Sequence, residues 1–417
     1  MRKEILAGLS TFFTLAYLLL LYPQLMSAGG FDFGASLVAM VLTLFVSTLF
    51  LAFYAHFPVV LASGLSVVSY IIFSAIPMQG ILPMEALGAV FWAGLIVFLL
   101  SAFKVRQKIL LHLPPAIKCS AIGGIGLFLI CIALKNLHIL FPHPGKIVDI
   151  SQVLSIPTGI TALGLVLLWM LHQRQISSAF LLSIFACWLL GASLGFVHWQ
   201  GFAALPPSLS PSFLQLDLLS TLHPKFWGVL LSILLISLFD SSGSLTALAR
   251  LIRRSDGPIE RIDRIVIPDG LGSMLAALLG ATSLSFTLES SSGIHAGGRR
   301  GLTAIVAAFA CLIALFLVPL LSSIPFFASA PALIAIGVSM VLSIKEINWK
   351  EWTDAAPALI TLVTIPVTFS IYNGFAYGFV SYAISKTISG KFREVHPITW
   401  GLALVFTGHL AWTLSIH

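Results

Sequence analysis

The sequence predicts an all-α polytopic membrane protein with about fourteen transmembrane segments. The composition is one reason: 58% of the 417 residues are hydrophobic and 9% are charged, whereas soluble domains carry about 25% charged residues. The apolar stretches are the other reason, because they are continuous and close to the ~20 residues that a helix needs to cross the hydrocarbon core. Barrel strands would be shorter and would alternate apolar with polar residues.

The apolar segments follow one another with short polar breaks. Their approximate bounds are 5–28, 35–56, 58–76, 84–103, 115–135, 157–172, 177–198, 225–249, 263–280, 283–297, 302–321, 329–344, 355–371 and 374–389. A further apolar piece, 398–416, crosses the membrane, lies on its surface or forms the last span, and these possibilities stay open. The first run is longer than the ~7–15 residues of a signal-peptide core, which favours a retained span.

Basic residues indicate the orientation of the spans. They follow even-numbered segments: Lys104, Arg106 and Lys108 after the fourth, Arg174 after the sixth, Arg250, Arg253, Arg254, Arg261 and Arg264 after the eighth, and Arg299 and Arg300 after the tenth. The positive-inside rule therefore predicts a multi-pass protein of the plasma (inner) membrane with a cytoplasmic N-terminus. The basic loops between spans account for the net charge of +7. No basic domain stands outside the membrane, so binding to nucleic acid is not predicted.

Two segments differ from the others. Residues 58–76 and 281–297 are short, rich in serine and broken by glycine. Interrupted segments at matching places in two halves are typical of inverted repeats with a substrate site near the membrane midplane. The pattern predicts a first repeat at 1–200 with spans 1–7, an extracytoplasmic loop at 201–223 and a second repeat at 224–417 with spans 8–14.

Two acids lie inside apolar segments: Asp240 in LLISLFDSSGS and Glu289 in LSFTLESSSG. A charge at the bilayer centre costs at least ~2.5–3.5 kcal/mol on insertion scales. Asp240 could instead cap a helix and Glu289 could pair with a basic side chain, but Lys225, fifteen positions before Asp240, is the only Lys or Arg in the two segments. We therefore expect both acids to line a substrate site.

The chemistry of a carboxyl group suits two tasks at such a site. Removal from water disfavours the charged form, so Glu289 and Asp240 can hold a proton near neutral pH. Two carboxylate oxygens can also accept hydrogen bonds from adjacent N–H donors of a ligand. A half-helix starting near Phe286 would add backbone N–H groups. Phe239 and Phe286 could stack on a flat ring, although lipid or core packing is the commoner role of a phenylalanine.

The remaining polar residues point to no cofactor. Asp269, between Pro268 and Gly270, is expected to cap or break a helix. His295 lies six positions after Glu289 and receives no role, although a proton relay stays open. The cysteines show no CxxC spacing, so neither a metal nor a disulfide is predicted: Cys119, Cys131, Cys187 and Cys311.

Several stretches together resemble the adenine/guanine/hypoxanthine permeases, a branch of the type 2 nucleobase–cation symporters (the xanthine/uracil permease family). They are MRKEILAGLSTFFTLAYLLLLYPQLMSAGGFDFGA, LFDSSGSL, FTLESSSGIHAGGRRGLTA, APALIAIGVSM and EINWKEWTDAAPALITLVTIPVTFSIYNGFAYGF, within residues 3–397. The resemblance implies the uracil-permease-like fold: two inverted repeats of seven spans, arranged as core and gate domains, often in a homodimer. It also implies purine uptake coupled to protons, with the base bound by the acids that match Asp240 and Glu289.

One motif departs from the family pattern. The family's third segment usually reads like APGMGLNAF, with an asparagine implicated in substrate binding, whereas residues 62–70 read ASGLSVVSY. Val68 stands at the asparagine position, so Ser66 or Ser69 would have to supply the hydrogen bond. Position 287, often tyrosine in the family, is Thr287. A different purine or a related heterocycle therefore stays open as the substrate.

Three functions can be compared on this basis. The first is a proton-coupled importer of a hypoxanthine-, adenine- or guanine-like nucleobase, with Glu289 and Asp240 in proton coupling. The second is a carrier of the same fold for another heterocycle or a small anion, against which the two acids argue. A remote third is an intramembrane aspartyl protease using Asp240 and Asp269, but no GxGD motif is present. HExxH and GxSxG are also missing from the sequence, and no enzyme is expected.

Overall fold

The computed structural model describes residues 1–143, 146–148, 153–256 and 262–416. Helices of the first half are α1 (Arg2–Leu15), α2 (Leu18–Ala28), α3 (Phe33–Tyr54), α4 (Leu65–Tyr70), α5 (Ile76–Gln79), α6 (Pro83–Ala102), α7 (Val105–His112), α8 (Pro115–Asn136), α9 (Ile156–Gln173) and α10 (Ala179–Ser193). Those of the second half are α11 (Trp227–Asp256), α12 (Ile262–Leu279), α13 (Ser290–His295), α14 (Gly301–Ala314), α15 (Val318–Ser322), α16 (Phe326–Val341), α17 (Trp352–Thr368), α18 (Ile371–Ile388) and α19 (Pro397–Ile416). The strands are β1 (Leu61–Ser63), β2 (Leu140–His143), β3 (Lys146–Val148) and β4 (Leu284–Phe286).

The helices confirm the predicted fold class of a polytopic all-α membrane protein. In the described part of the chain, eight helices are long and apolar enough to cross a membrane. Shorter or interrupted helices occupy most of the other predicted segments. Backbone hydrogen bonds within helices are what permits a chain to cross lipid.

Local sequence explains where several helices begin. Asp32 starts α3 because its carboxylate accepts the N–H of Ala35 at 2.7 Å. Glu85 lies in the first turn of α6 and accepts the N–H of Leu82 at 2.6 Å. Proline 83 begins the same helix, where its missing N–H costs nothing. Acids at helix starts also interact favourably with the helix dipole.

The helices pack into two groups. In the core bundle (α1–α6 and α11–α15), α6 packs on α12, and α14 packs on α1 and α3. In the gate bundle (α8–α10 and α16–α19), α8 packs on α16 and α17, and α17 packs on α18. The short helix α7 joins α6 of the core bundle to α8 of the gate bundle.

The core bundle is closely packed where glycines face a neighbouring helix. A Cβ added to Gly270 on α12 would lie 2.4 Å from the backbone nitrogen of Phe98 on α6. One added to Gly94 on α6 would lie 2.9 Å from the backbone nitrogen of Met274. The two backbones therefore touch, as small residues permit between transmembrane helices.

The two predicted interrupted segments meet each other. β1 and β4 pair antiparallel, with Leu61 opposite Phe286, Ala62 opposite Ser285 and Ser63 opposite Leu284. Each strand leads into a short helix, α4 after β1 and α13 after β4. A π-helical turn at Ile71–Ala75 continues α4 into α5. The prediction of two short interrupted helices is confirmed, and their strands hydrogen-bond to each other.

The last apolar piece forms the helix α19, which packs on α18. Near its start His396 stacks on His112 of α7, with ring centroids 3.9 Å apart. Further along, His409 Nδ1 lies 2.7 Å from the hydroxyl of Tyr372, close to the start of α18. The helix thus runs alongside α18 for most of its length, as a membrane-crossing helix would.

One sequence prediction is wrong. Asp269 neither caps nor breaks a helix but lies inside α12, where it is 2% exposed. Its carboxylate is 2.7 Å from the guanidinium of Arg106, a residue of α7 that is itself 1% exposed. A buried acid needs such a partner. The sequence predicts only that Arg106 follows the fourth segment on the cytoplasmic side, and its burial depends on contacts that pattern alone does not give.

Candidate substrate-binding site

Asp240 and Glu289 both lie in the second half of the chain, in elements of the core bundle. Asp240 lies within α11, about halfway along, and Glu289 immediately precedes α13. Both side chains are half-buried, unlike the fully buried Asp269. In the described part of the chain, neither carboxylate has an ion pair with Lys or Arg. The two acids therefore remain open to a ligand.

Asp240 faces the paired strands. The side chain of Ser285 on β4 lies beside its carboxylate. A Cβ added to Gly64, between β1 and α4, would lie 2.9 Å from Asp240 Oδ2 and 3.4 Å from Ser285 Oγ. A side chain at position 64 would thus collide with the acid. Gly64 lets the backbone of the first interrupted segment approach Asp240 directly.

Glu289 has a partner that sequence analysis missed. The hydroxyl of Tyr17 donates to Glu289 Oε1. Tyr17 is 2% exposed and lies in the two-residue break between α1 and α2. Its ring stacks on Phe180 of α10, with centroids 4.9 Å apart and an interplanar angle of 28°. One residue thus touches both the acid of the core bundle and a helix of the gate bundle.

The residues on both sides of Glu289 are fixed by hydrogen bonds to Val60, the residue that precedes β1. Thr287 donates its N–H and its hydroxyl to the carbonyl of Val60, at 3.1 and 3.0 Å. Ser290 Oγ accepts the N–H of Val60 at 3.0 Å and lies 2.8 Å from Thr287 Oγ1. On α13, Ser292 bonds to Ser10 of α1 at 2.5 Å. Thr287 therefore holds the backbone at the position where the family often has tyrosine.

The two predicted stacking residues do not lie together. Phe239 is 1% exposed and packs on Phe375 of α18, at 5.5 Å between centroids. Phe286 alternates with Ser285 along β4, so it points to the opposite face from Asp240. There it is buried in a hydrophobic cluster with Leu248 of α11. The aromatic pair next to Glu289 is Tyr17 with Phe180.

The candidate residues of the third segment lie on α4. Val68 is fully buried in the hydrophobic core, and Ser66 is 4% exposed. Ser69 is also fully buried, and its hydroxyl has no hydrogen-bond partner among the described residues. Ser69 thus keeps a buried hydroxyl with hydrogen-bonding capacity left.

The arrangement suits binding better than bond cleavage. An aspartyl protease needs two carboxyls that share a proton, whereas the carboxylate of Asp269 is engaged by Arg106. Across the described residues, no group of three or more His, Cys, Asp or Glu could hold a metal ion. Two half-buried carboxyls, hydroxyl groups and an aromatic pair remain, and these can hold a flat ligand that carries N–H donors.

The site is covered differently on its two sides. Toward the end of α11, Gly243 has nothing within 4 Å of an added Cβ, and Ala247 is exposed. Both lie on the helix face of Asp240. On the other side, Gln24 of α2 donates to the carbonyl of Ile324 at 2.8 Å and accepts from Ser329 of α16 at 2.5 Å. Core and gate bundles are therefore joined on that side.

Comparisons with known proteins agree with this picture. The xanthine/uracil-permease-type model described as "Permease family" matches residues 2–377. The chain is 34% identical to the adenine permease AdeP of Escherichia coli strain K12, covering 97% of this chain and 92% of the relative. It is 31% identical to the guanine/hypoxanthine permease PbuO of Bacillus subtilis strain 168, covering 97% and 96%.

Solved structures match the fold at low sequence identity. The transmembrane domain of the cyanobacterial bicarbonate transporter BicA superposes with a TM-score of 0.68 at 15% identity, covering 89% of this chain and 97% of that one. The murine anion transporter Slc26a9, in its inward-facing state, gives 0.65 at 14% identity, covering 94% and 69%. These likenesses concern the fold alone.

Proposed function

The chain belongs to the xanthine/uracil-type permease family, and from this premise we propose that it imports a purine nucleobase together with protons. It is a multi-pass membrane transporter and not an enzyme. The observation that carries the proposal is the pair of half-buried acids, Asp240 and Glu289, which no basic side chain of the described residues neutralises.

The acids favour a nucleobase over an anion. A purine carries adjacent N–H donors on its edges, and a carboxylate accepts two of them with its two oxygens. Relatives that are adenine and guanine/hypoxanthine permeases point to the same ligand class. An anion would be repelled by two carboxylates, although anion carriers share the fold.

Proton coupling follows from the cost of charge in the membrane. Protonation of Glu289, with Asp240 next to it in the same site, would neutralise part of this charge and favour loading. The core bundle would then move against the gate bundle around the bound ligand. With the N-terminus in the cytoplasm of a plasma membrane, as the basic loops indicate, this movement carries the nucleobase inward.

The decisive experiment is uptake of labelled adenine, guanine and hypoxanthine in cells that lack their own purine carriers. We expect uptake that is faster at external pH 5.5 than at 7.5, that unlabelled purines block and that sulfate and bicarbonate leave unchanged. Competition by those anions without competition by purines would overturn the substrate class.

Two variants test the residues of the proposal. Asp240→Asn and Glu289→Gln keep the size of each side chain and remove its charge. We expect each to reduce uptake at least ~10-fold, as loss of a hydrogen bond to a charged group does. Glu289→Gln with the wild-type rate and pH dependence would show that Glu289 does not couple transport to protons.

A further inference from the structure

We infer that Tyr17 is a positioning residue of the purine site, which holds the Glu289 carboxylate in the empty carrier and gives it up to the ligand. This inference rests on the proposed function. Tyr17 acts in it as an internal competitor: its hydroxyl occupies an oxygen of Glu289 that an N–H group of the purine takes when it binds.

The location of Tyr17 supports this role. It lies where the first span is broken between α1 and α2, and its hydroxyl donates to Glu289 Oε1. Two neighbouring contacts fix the surrounding backbone, since Ser10 bonds to Ser292 at 2.5 Å and Thr287 bonds to Val60 at 3.1 Å. With the acid and the tyrosine held by separate elements, the hydrogen bond between them can break while both backbones stay in place.

The chemistry of the carboxylate makes the exchange favourable. A carboxylate accepts up to about four hydrogen bonds and binds two parallel N–H donors best when both oxygens are available. With Tyr17 on Oε1, a ligand that places one N–H donor on each oxygen competes with the hydroxyl for Oε1. With Tyr17 absent, the same ligand meets a free carboxylate. In the wild type the Tyr17 hydroxyl therefore lowers the affinity for the ligand, and in the empty carrier it gives the half-buried charge a partner.

The ring of Tyr17 connects loading to the gate bundle. It stacks on Phe180 of α10 at 4.9 Å between centroids. When the ligand displaces the hydroxyl from Glu289, the ring must turn or shift against Phe180. Occupancy of the acid in the core bundle is thereby sensed at a helix of the gate bundle.

The groups around Glu289 limit what else could change its protonation. On α11 the neighbouring acid is Asp240. On α1, Glu4 is engaged at the far end by the backbone N–H groups of Arg299 and Arg300. On the chain after α13, Arg299 donates to the carbonyls of Ile294 and Gly298, and His295 is exposed. Tyr17 is thus the titratable side chain that directly hydrogen-bonds Glu289, and Asp240 is the other acid of the site.

The test compares Tyr17→Phe with the wild type and with Tyr22→Phe. Tyr22 belongs to the same span, but its hydroxyl accepts the backbone N–H of Thr282 at 2.8 Å and bonds to no acid among the residues that the structure describes. Calorimetry on purified protein measures binding of adenine, guanine and hypoxanthine between pH 5.5 and 8.5. We expect Tyr17→Phe to bind purine about 3–10-fold more tightly at its pH optimum, and Tyr22→Phe to bind it as the wild type does.

A second measurement needs no ligand. Infrared absorption of the protonated carboxyl group, assigned with Glu289→Gln, follows protonation of Glu289 in the empty carrier. Tyr17→Phe removes a hydrogen bond that the carboxylate accepts, so we expect its infrared titration to differ from that of the wild type. An unchanged titration, or purine binding that is unchanged or weaker in Tyr17→Phe, would overturn the inference. If the wild type binds no purine, the proposed function fails, and the titration still decides whether Tyr17 holds Glu289 in its charged form.

Discussion

At the scale of single residues, Gly64 sets the distance between the first interrupted segment and Asp240. Its substitution by alanine would place a Cβ 2.9 Å from Asp240 Oδ2, so the carboxylate or the strand must move. Overpacking of this kind costs about 1–3 kcal/mol. We expect Gly64→Ala to remain folded and to lose purine uptake at least ~10-fold, because a shifted acid no longer fits the ligand.

The matched control for this prediction is Gly401→Ala. Gly401 is exposed on α19 and has nothing within 4 Å of an added Cβ. Alanine is the better helix former by up to ~1 kcal/mol, so stability and uptake should be kept. Wild-type uptake by Gly64→Ala would show that the close approach at Asp240 is not required.

The buried pair of Arg106 and Asp269 gives a second prediction for single residues. Removal of one partner leaves a buried charge and typically costs about 3–5 kcal/mol, whereas apolar replacement of both is often neutral. We expect Arg106→Met to lower the thermal unfolding temperature of the detergent-purified protein markedly, and Arg106→Met with Asp269→Leu to restore most of it. A double variant less stable than the single one would contradict a mainly electrostatic role.

Residues differ in how well sequence predicts them. Asp240 and Glu289 could be singled out because an acid in an apolar segment is costly and therefore rare. Tyr17 could not, because an aromatic residue in a membrane span is common and neither glycine nor proline marks the break at Ala16–Tyr17. Arg106 could not either, since its burial depends on α12, more than 150 residues away in the chain.

At the scale of elements, periodicity and helix-start residues suffice for most boundaries, because lipid requires each span to satisfy its own backbone. The start of α14 is an exception that depends on another helix. The carboxylate of Glu4 on α1 accepts the N–H groups of Arg299 and Arg300 at 3.1 and 3.3 Å and also the hydroxyl of Thr303. This acid holds the two residues that precede α14, from almost 300 positions away in the chain.

We expect Glu4→Ala to destabilise the protein by about 1–2 kcal/mol, because it removes hydrogen bonds to a charged group and a favourable interaction with the dipole of α14. Glu4→Gln keeps an acceptor oxygen and should lose less. Thermal unfolding of both variants in detergent measures the difference. Equal unfolding temperatures for Glu4→Ala and the wild type would mean that water replaces the carboxylate at the helix start.

Charged residues around the start of α17 should make the stability of the protein depend on pH. The ammonium of Lys391 hydrogen-bonds the Glu351 carboxylate at 2.5 Å, and with Thr353 and Lys386 nearby it lowers the pKa of Glu351 to about 2. A lowered pKa in the folded state stabilises the protein above the ordinary pKa of 4.5, and this stabilisation is lost as the pH falls from 4.5 toward 2.

Unfolding temperatures of the wild type and Glu351→Gln measure this effect. At pH 7 the variant should unfold at a lower temperature, and the difference should shrink progressively below pH 4.5 because the wild-type carboxylate then takes up its proton. A difference that is the same at pH 7 and pH 3 would show that Glu351 acts through its size or polarity and not through its charge.

At the scale of the whole molecule, the division into core and gate bundles is beyond what segment patterns can predict. Helix α8 packs on α16 and α17, and β1 pairs with β4, across more than 180 positions of sequence in each case. Every span is apolar, so hydropathy alone does not state which helices are neighbours. Packing between such helices depends on small residues and single polar contacts, which are visible only once the structure is known.

One such polar contact joins the bundles. Gln24 bonds to the carbonyl of Ile324 and to the hydroxyl of Ser329, on the side of the site away from the N-terminus. Transport requires the bundles to separate there while they close on the other side. Each hydrogen bond is worth about 0.5–1.5 kcal/mol, so Gln24→Ala should shift the equilibrium between the two arrangements by roughly 5–100-fold.

Labelling of a cysteine at position 247 reports this shift. In a background without Cys119, Cys131, Cys187 and Cys311, the substitution Ala247→Cys places a thiol on the exposed face of α11, one to two turns from Asp240. We expect Gln24→Ala to slow the reaction of this thiol with a water-soluble maleimide. Without the Gln24 contact the bundles separate more often on the side of Gln24, and the opening beside position 247 is then closed more often. Gln200→Ala is the control, since Gln200 bonds only to Ser322 at the edge of the core bundle in the described contacts, and it should leave the labelling rate unchanged. Equal rates for Gln24→Ala and Gln200→Ala would mean that the helices, and not this polar contact, hold the bundles together.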